Sequence, residues 1–168
     1  MNITMNRAEL LHAVKRGLAV VPANSPLEVL KGVCLEATAA SKTLVLTATN
    51  LEVTLKQKLA CAAPEDDALA IDAKLLAGML EKLPGDTVEL RRDPDVPRLS
   101  IRSGEARYNV SVWERSSFPK VEIPTVTGLV RASGIPSMTR RTVFATDEKN
   151  EKPMLKCVHL RSYNKICR

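Results

Sequence analysis

Hydrophobic positions along this chain repeat with two periods, and each period marks out its own elements. Residues 2–6, Asn-Ile-Thr-Met-Asn, alternate as a half-buried strand does. From Arg7 to Val21 the apolar residues Leu10, Leu11, Val14, Leu18 and Val21 fall on one helical stripe. Asn6 is placed to cap that helix, with Glu9 three residues on, and Pro22 to end it. Glu9, His12, Lys15 and Arg16 remain on its polar face. Strand patterns follow over Leu27–Thr38, Leu44–Thr49 and Leu51–Leu59, then a short one over Ala68–Ile71. The helical period returns over Ala73–Leu83, with Leu75, Leu76, Met79, Leu80 and Leu83 as its stripe, Asp72 as its cap and Pro84-Gly85 as its stop. Thr87–Arg91, Arg98–Ser103 and Ala106–Trp113 read as an antiparallel meander.

Ser117 to Thr125 carries two prolines and no helical period, which reads as a linker. Beyond it the pattern predicts a strand over Gly128–Ala132, a helix over Ile135–Thr146 and a strand over Met154–Leu160, with no further element before Arg168. This tail echoes the start of the chain at an offset of 125: Leu30-Lys31, Val33 and Leu35 fall on Leu155-Lys156, Val158 and Leu160, and Lys15-Arg16 fall on Arg140-Arg141. The organisation expected is therefore one domain over 1–122, a linker over 123–127 and the opening of a second copy over 128–168. A strand–helix–strand piece without sheet partners would leave Ile135, Val143 and Phe144 partly uncovered.

Composition narrows the chemistry. The 168 residues are 45% hydrophobic and 26% charged, a globular balance, with a net charge of +6. No apolar run approaches the roughly 20 residues of a membrane span, and no signal-peptide pattern opens the chain, so a cytoplasmic protein is expected. Cys34, Cys61, Cys157 and Cys167 show no CxxC spacing, and with only His12 and His159 no zinc pattern exists; no metal or cofactor is expected. Glycine-rich phosphate loops and nucleophile-elbow motifs are lacking. The carboxylates that could serve as an acid or base, Asp66, Asp67, Asp72 and Glu81, read better as a solvated loop, a helix cap and a surface charge. The basic excess is uneven. Residues 1–122 hold 16 basic and 16 acidic residues, and 123–168 hold 9 and 3. The argument for a polyanionic partner therefore rests on where cations stand: two basic pairs, Lys15-Arg16 and Arg140-Arg141, each on the polar face of a helix.

Several segments, in order, resemble one family. They are Glu9-Leu-Leu, Ser25-Pro-Leu-Glu-Val-Leu-Lys-Gly-Val-Cys-Leu-Glu36, Leu46-Thr-Ala-Thr-Asn-Leu-Glu52, Lys82-Leu-Pro-Gly85, Ile101-Arg-Ser-Gly104, Ser117-Phe-Pro119, Ser133-Gly-Ile-Pro136 and Arg141-Thr-Val-Phe-Ala-Thr146. Together they resemble the bacterial sliding clamps, the beta subunits of DNA polymerase III. The resemblance implies an α+β clamp fold with antiparallel sheets outside and two helices inside each domain. It implies a non-catalytic processivity factor around double-stranded DNA, with polymerase III subunits and a clamp loader as partners and a head-to-tail homodimer. On these grounds Lys15, Arg16, Arg140 and Arg141 are the leading phosphate contacts, with Asn24, Lys82, Lys149 and Lys152 beside them. Lys74, Leu75, Met79, Tyr108 and Val110 would form one side of the dimer interface, although core packing also accounts for Leu75 and Met79. The family's protomer is more than twice this length, so the chain reads as an N-terminal fragment without a full ring interface. Two rival readings remain: an interaction protein using the 154–160 strand as an open edge, and a small acid/base enzyme.

Overall fold

A computed structural model describes residues 1–93, 96–121, 133–147, 149–163 and 166–167. It divides into two compact units, Met1–Glu122 and Ile123–Arg168.

The first unit has two antiparallel sheets. One has the order β1 (Asn2–Asn6), β6 (Thr87–Arg92), β7 (Arg98–Ser103), β8 (Ala106–Ser111). The other has the order β4 (Thr54–Ala60), β3 (Thr43–Thr49), β2 (Gly32–Thr38), β5 (Asp67–Asp72), β9 (Trp113–Glu114). Helices α1 (Arg7–Leu18) and α2 (Ala73–Lys82) pack against each other. Alternation along the strands turns Ile3, Met5, Val88, Leu90, Leu99 and Ile101 of one sheet and Val33, Leu35, Leu44 and Leu46 of the other into one core, which also takes in Leu10 and Val14 of α1 and Leu76 and Leu80 of α2.

Strands β2 and β5 are buried on both faces. Behind the main core, Cys34 and Ala70 lie under Phe118, with Val29 and Trp113 beside them. Phe118 is 2% exposed, so the start of the proline-bearing stretch 117–125 packs into this unit. Gly32 starts β2 because a Cβ there would meet the Ile71 carbonyl at 2.7 Å and the Trp113 ring at 2.9 Å.

Several boundaries differ from expectation for local reasons. Leu51 and Val53 are not in β4. The Asn50 side chain accepts from the Glu52 and Val53 amides at 3.0 and 2.7 Å, and Leu51 sits at φ 76. That local turn competes with strand pairing, and both apolar side chains end exposed. Helix α1 stops at Leu18, before Pro22, and Glu28–Lys31 is a 3₁₀ turn ahead of β2. The expected Ala106–Trp113 strand breaks at Val112, whose amide bonds to the Pro97 carbonyl at 2.9 Å, so β8 stays in one sheet and β9 pairs with β5 in the other.

The second unit has helix α3 (Ile135–Thr142), a 3₁₀ turn at Val143–Ala145 and another at Pro153–Lys156. Thr142 Oγ1 bonds back to the Met138 and Thr139 carbonyls where the α-helix was expected to continue. The expected strand over Met154–Leu160 does not form. Pro153 fits the first turn of a 3₁₀ helix, and Met154, Leu155 and Leu160 are exposed, so their pattern has no face to bury. The rival reading of 154–160 as an open strand edge falls with it. Where no element was expected, β10 (Ser162–Tyr163) pairs with β11 (Ile166–Cys167). Val143 and Phe144 are 48% and 83% exposed. The expected linker 123–127 and strand 128–132 lie outside the described residues. At the offset of 125 the 3₁₀ turn 28–31 falls on the 3₁₀ turn 153–156, whereas β2 falls on 157–163, of which only Ser162–Tyr163 is strand.

Candidate nucleic-acid interface

Burial of one face of each helix decides what the other face presents. On α1 the buried residues are Leu10, Ala13, Val14 and Gly17. A Cβ at Gly17 would come within 3.2 Å of Val33 Cγ1, so glycine lets α1 settle onto the sheet. On α2 they are Ala73, Leu76, Ala77 and Leu80. The Asn6 and Asp72 side chains cap the two helices, accepting from the Glu9 amide at 3.0 Å and the Leu75 amide at 2.7 Å. Arg7 joins them: its Nη1 donates to the Leu80 carbonyl at 2.9 Å and its Nε to the Gly85 carbonyl at 2.6 Å, so a cation sits at the C-terminal end of α2. Nothing in the sequence pattern marked Arg7 for that place.

The outer face of the helix pair carries Lys15, Arg16 and Lys82, all exposed. Lys15 is engaged: its Nζ lies 2.7 Å from Glu81 Oε1 on α2. The hydrogen bond and charge of Lys15 hold the Glu81 carboxyl below its ordinary value. Arg16 and Lys82 have no ion-pair partner among the described residues. All three stand in the last turns of their helices, where a cation also suits the helix dipole. Asn24 is exposed in the loop after α1. Two cations missed by sequence reasoning, Lys56 and Lys58 of β4, line a shallow cleft of about 350 Å³ with His12 and Arg16. Their alternation with Leu55 and Leu59 was visible, but that β4 is the sheet edge beside α1 was not. Gln57 Nε2 fixes that edge, donating to the Ala13 carbonyl at 2.8 Å.

In the second unit Arg140 and Arg141 occupy the last turn of α3 and are exposed, as are Lys149 and Lys152 in the following loop. The amides of Lys149 and Lys152 bond to the Asp147 and Asn150 side chains at 3.1 and 3.0 Å, which shapes the loop and leaves both ammonium groups outward.

The five residues expected at a dimer interface do come together. Lys74, Leu75 and Met79 of α2 and Tyr108 and Val110 of β8 line one groove of about 1040 Å³. Leu75 is 47% exposed, which corrects its place in the core stripe of α2. Met79 and Tyr108 are half-buried against the core, and Val110 is 7% exposed.

The carboxylates weighed for catalysis are occupied. Asp72 is a cap and Glu81 pairs with Lys15. Asp66 Oδ1 accepts from the Ala39 amide at 2.7 Å. Asp67 binds the N-terminal ammonium and Arg92. Burial would raise the Asp67 pKa, but these bonds and charges outweigh it and hold the group below its ordinary value. Among the described residues no cluster of His, Cys, Asp and Glu could hold a metal, and no helix is long and apolar enough to cross a membrane.

Residues 1–122 match the profile of the DNA polymerase III beta subunit, N-terminal domain. The "Beta sliding clamp" of Synechococcus elongatus is 30% identical over 166 residues, which cover 96% of this chain and 43% of that protein. Among solved structures, the beta subunit of the Streptococcus pyogenes DNA polymerase superposes with a TM-score of 0.86 at 17% identity, over 98% of this chain and 44% of that one. The DNA polymerase III subunit beta of Pseudomonas aeruginosa gives 0.81 at 26% identity, over 92% and 42%. The chain thus spans less than half the length of these relatives. Two antiparallel sheets backing a helix pair, and a family profile matched over the whole first unit, make this chain a member of the DNA polymerase III beta subunit family.

Proposed function

We propose that the chain acts as part of a sliding clamp: a non-catalytic subunit that holds duplex DNA through its helices and keeps a replicative polymerase at the primer end. The observation that carries this is the outer face of the α1–α2 pair, where Arg16 and Lys82 stand exposed and unpaired among the described residues, with Lys56 and Lys58 beside Arg16. Exposed cations on rigid helices suit phosphate contact that ignores sequence and permits sliding. Tethering then raises the local concentration of the polymerase at its substrate with no chemistry by the clamp. In this reading residues 1–122 are one clamp domain and 128–168 belong to a second, whose Arg140 and Arg141 repeat the role of Lys15 and Arg16. The groove at Leu75, Met79, Tyr108 and Val110 serves as one half of a head-to-tail interface.

Fluorescence anisotropy with a labelled 20-base-pair duplex over a salt series tests this reading. Binding is expected to be indifferent to sequence. Replacing Arg16 and Lys82 by Gln should flatten the log K against log salt slope by about 1.8, two phosphate contacts at roughly 0.9 each. An unchanged slope would remove the helix face from the interface.

A further inference from the structure

The sheet β1-β6-β7-β8 has a second face, turned away from the core to which α1 and α2 contribute. Alternation places Arg91 of β6, Arg98, Ser100 and Arg102 of β7, and Arg107 and Asn109 of β8 on it. These residues, with Arg92 and Asp93, line a pocket of about 320 Å³, and among the described residues its lining has no aromatic and no apolar side chain.

Among the described residues the charges here are not balanced. Arg91 is satisfied by Glu89, with Nε and Nη2 at 2.8 and 2.7 Å from Oε1. Arg92 is satisfied by Asp67 and Glu114. Asp93 has interactions of its own. Arg98, Arg102 and Arg107 have no carboxylate partner among the described residues. Arg107 reaches only the Ser100 hydroxyl, at 3.2 Å. The Nε of Arg102 is buried without a hydrogen-bond partner. Arg102 and Arg107 are also direct cross-strand partners. Like charges directly opposite on neighbouring strands disfavour each other. Two like charges opposed in register, one with an unpartnered N–H, are relieved by an anion seated between them.

We propose that this outer face binds the phosphate backbone of a nucleic-acid strand, at a site separate from the helix face. Guanidinium forks match phosphate oxygens in pairs, and Ser100 and Asn109 add neutral hydrogen-bonding groups. Arg98 and Arg102 lie four residues apart on β7, about 13 Å, so they meet phosphates of one strand at separate points. Stable protein interfaces centre on aromatic or aliphatic anchors, and the described lining of this pocket has none. The proposal does not depend on the ring reading.

The test is anisotropy on the 168-residue chain with a labelled 20-nucleotide single strand and its duplex, with a glutamate-rich peptide and inorganic phosphate as competitors. Replacing Lys15, Arg16 and Lys82 by Gln should leave residual oligonucleotide binding. Adding R98Q and R107Q should weaken that residual binding at least tenfold and flatten the single-strand salt slope by about 1.4. R102Q should raise the melting temperature of the free protein and shrink the rise caused by oligonucleotide. Loss of all binding in the helix-face variant, equal affinity with and without R98Q/R107Q, or a peptide that competes better than the oligonucleotide would each overturn the assignment. So would a fall in melting temperature for R102Q. An unchanged salt slope in the helix-face variant alone would count against the helix-face reading and leave this one standing.

Discussion

Lys15 on α1 and Glu81 on α2 form an ion pair across the two helices, 2.7 Å apart and with both side chains about half exposed. The pair lies in the middle of the face assigned to duplex DNA. It makes Lys15 a conditional contact, shared between its carboxylate and any phosphate.

Glu81→Gln removes that competitor. Duplex affinity at low salt should rise, and the salt slope should steepen by roughly 0.9, one added phosphate contact. By the same argument, replacing Lys15 and Arg16 together by Ala should flatten the wild-type slope by about one contact, where two free cations would give two. Anisotropy across 50–200 mM salt measures both, and equal slopes for wild type and Glu81→Gln would show that Lys15 is not held back.

The stripe of α2 divides into residues that hold the fold and residues that do not. Leu76 and Leu80 are fully buried, and Leu80→Ala should cost about 2–5 kcal/mol in urea unfolding. Leu75→Ala should stay within about 0.5 kcal/mol of wild type, because its side chain lies in the open groove. If Leu75 works at an interface, its loss should show in self-association measured by light scattering and leave the melt untouched.

Asp67 predicts an acid limit. Its folded pKa lies below the ordinary 3.8, because the N-terminal ammonium and Arg92 outweigh its burial. A depressed carboxyl contributes stability that is fully present above the unfolded pKa and lost as pH falls through the folded one. Chemical unfolding between pH 5 and pH 2 should therefore show a loss below about 3.8, and Asp67→Asn should lower stability at pH 7 and flatten that acid limb. An identical pH profile in the variant would discard this pair as the source.

Thiol reactivity should separate the cysteines. Burial pushes the Cys34 thiol up to about 12, with Arg115 opposing in part, and Cys61 is also raised by burial. Cys157 is exposed. At pH 8 a disulfide reagent should modify Cys157 within minutes and Cys34 only after denaturation, because the thiolate is the reacting species. Fast native labelling of Cys34, read by mass spectrometry, would contradict its place under Phe118.

Local rules carried a large part of the fold. Asn2–Asn6, Ala73–Lys82 and Arg98–Ser103 form where alternation, capping and periodicity place them, because each buries one clean face against the core. The failures have equally local causes or none at all. Asn50 diverts the chain into a turn before β4, and Pro153 turns an apolar stretch into 3₁₀ structure.

By itself the sequence determined which side of each helix and strand seeks the core, and so which cations face water. Periodicity is enough for that, since burial of apolar surface is non-directional and acts element by element. Only the tertiary structure decided which charges meet. Lys15 finds Glu81 sixty-six positions away, Arg92 finds Asp67 and Glu114 across two sheets, and Arg102 finds no carboxylate among the described residues and faces Arg107. Ion pairing falls off over a few ångströms, and those distances are set by strand register and helix packing, which a one-dimensional pattern does not contain.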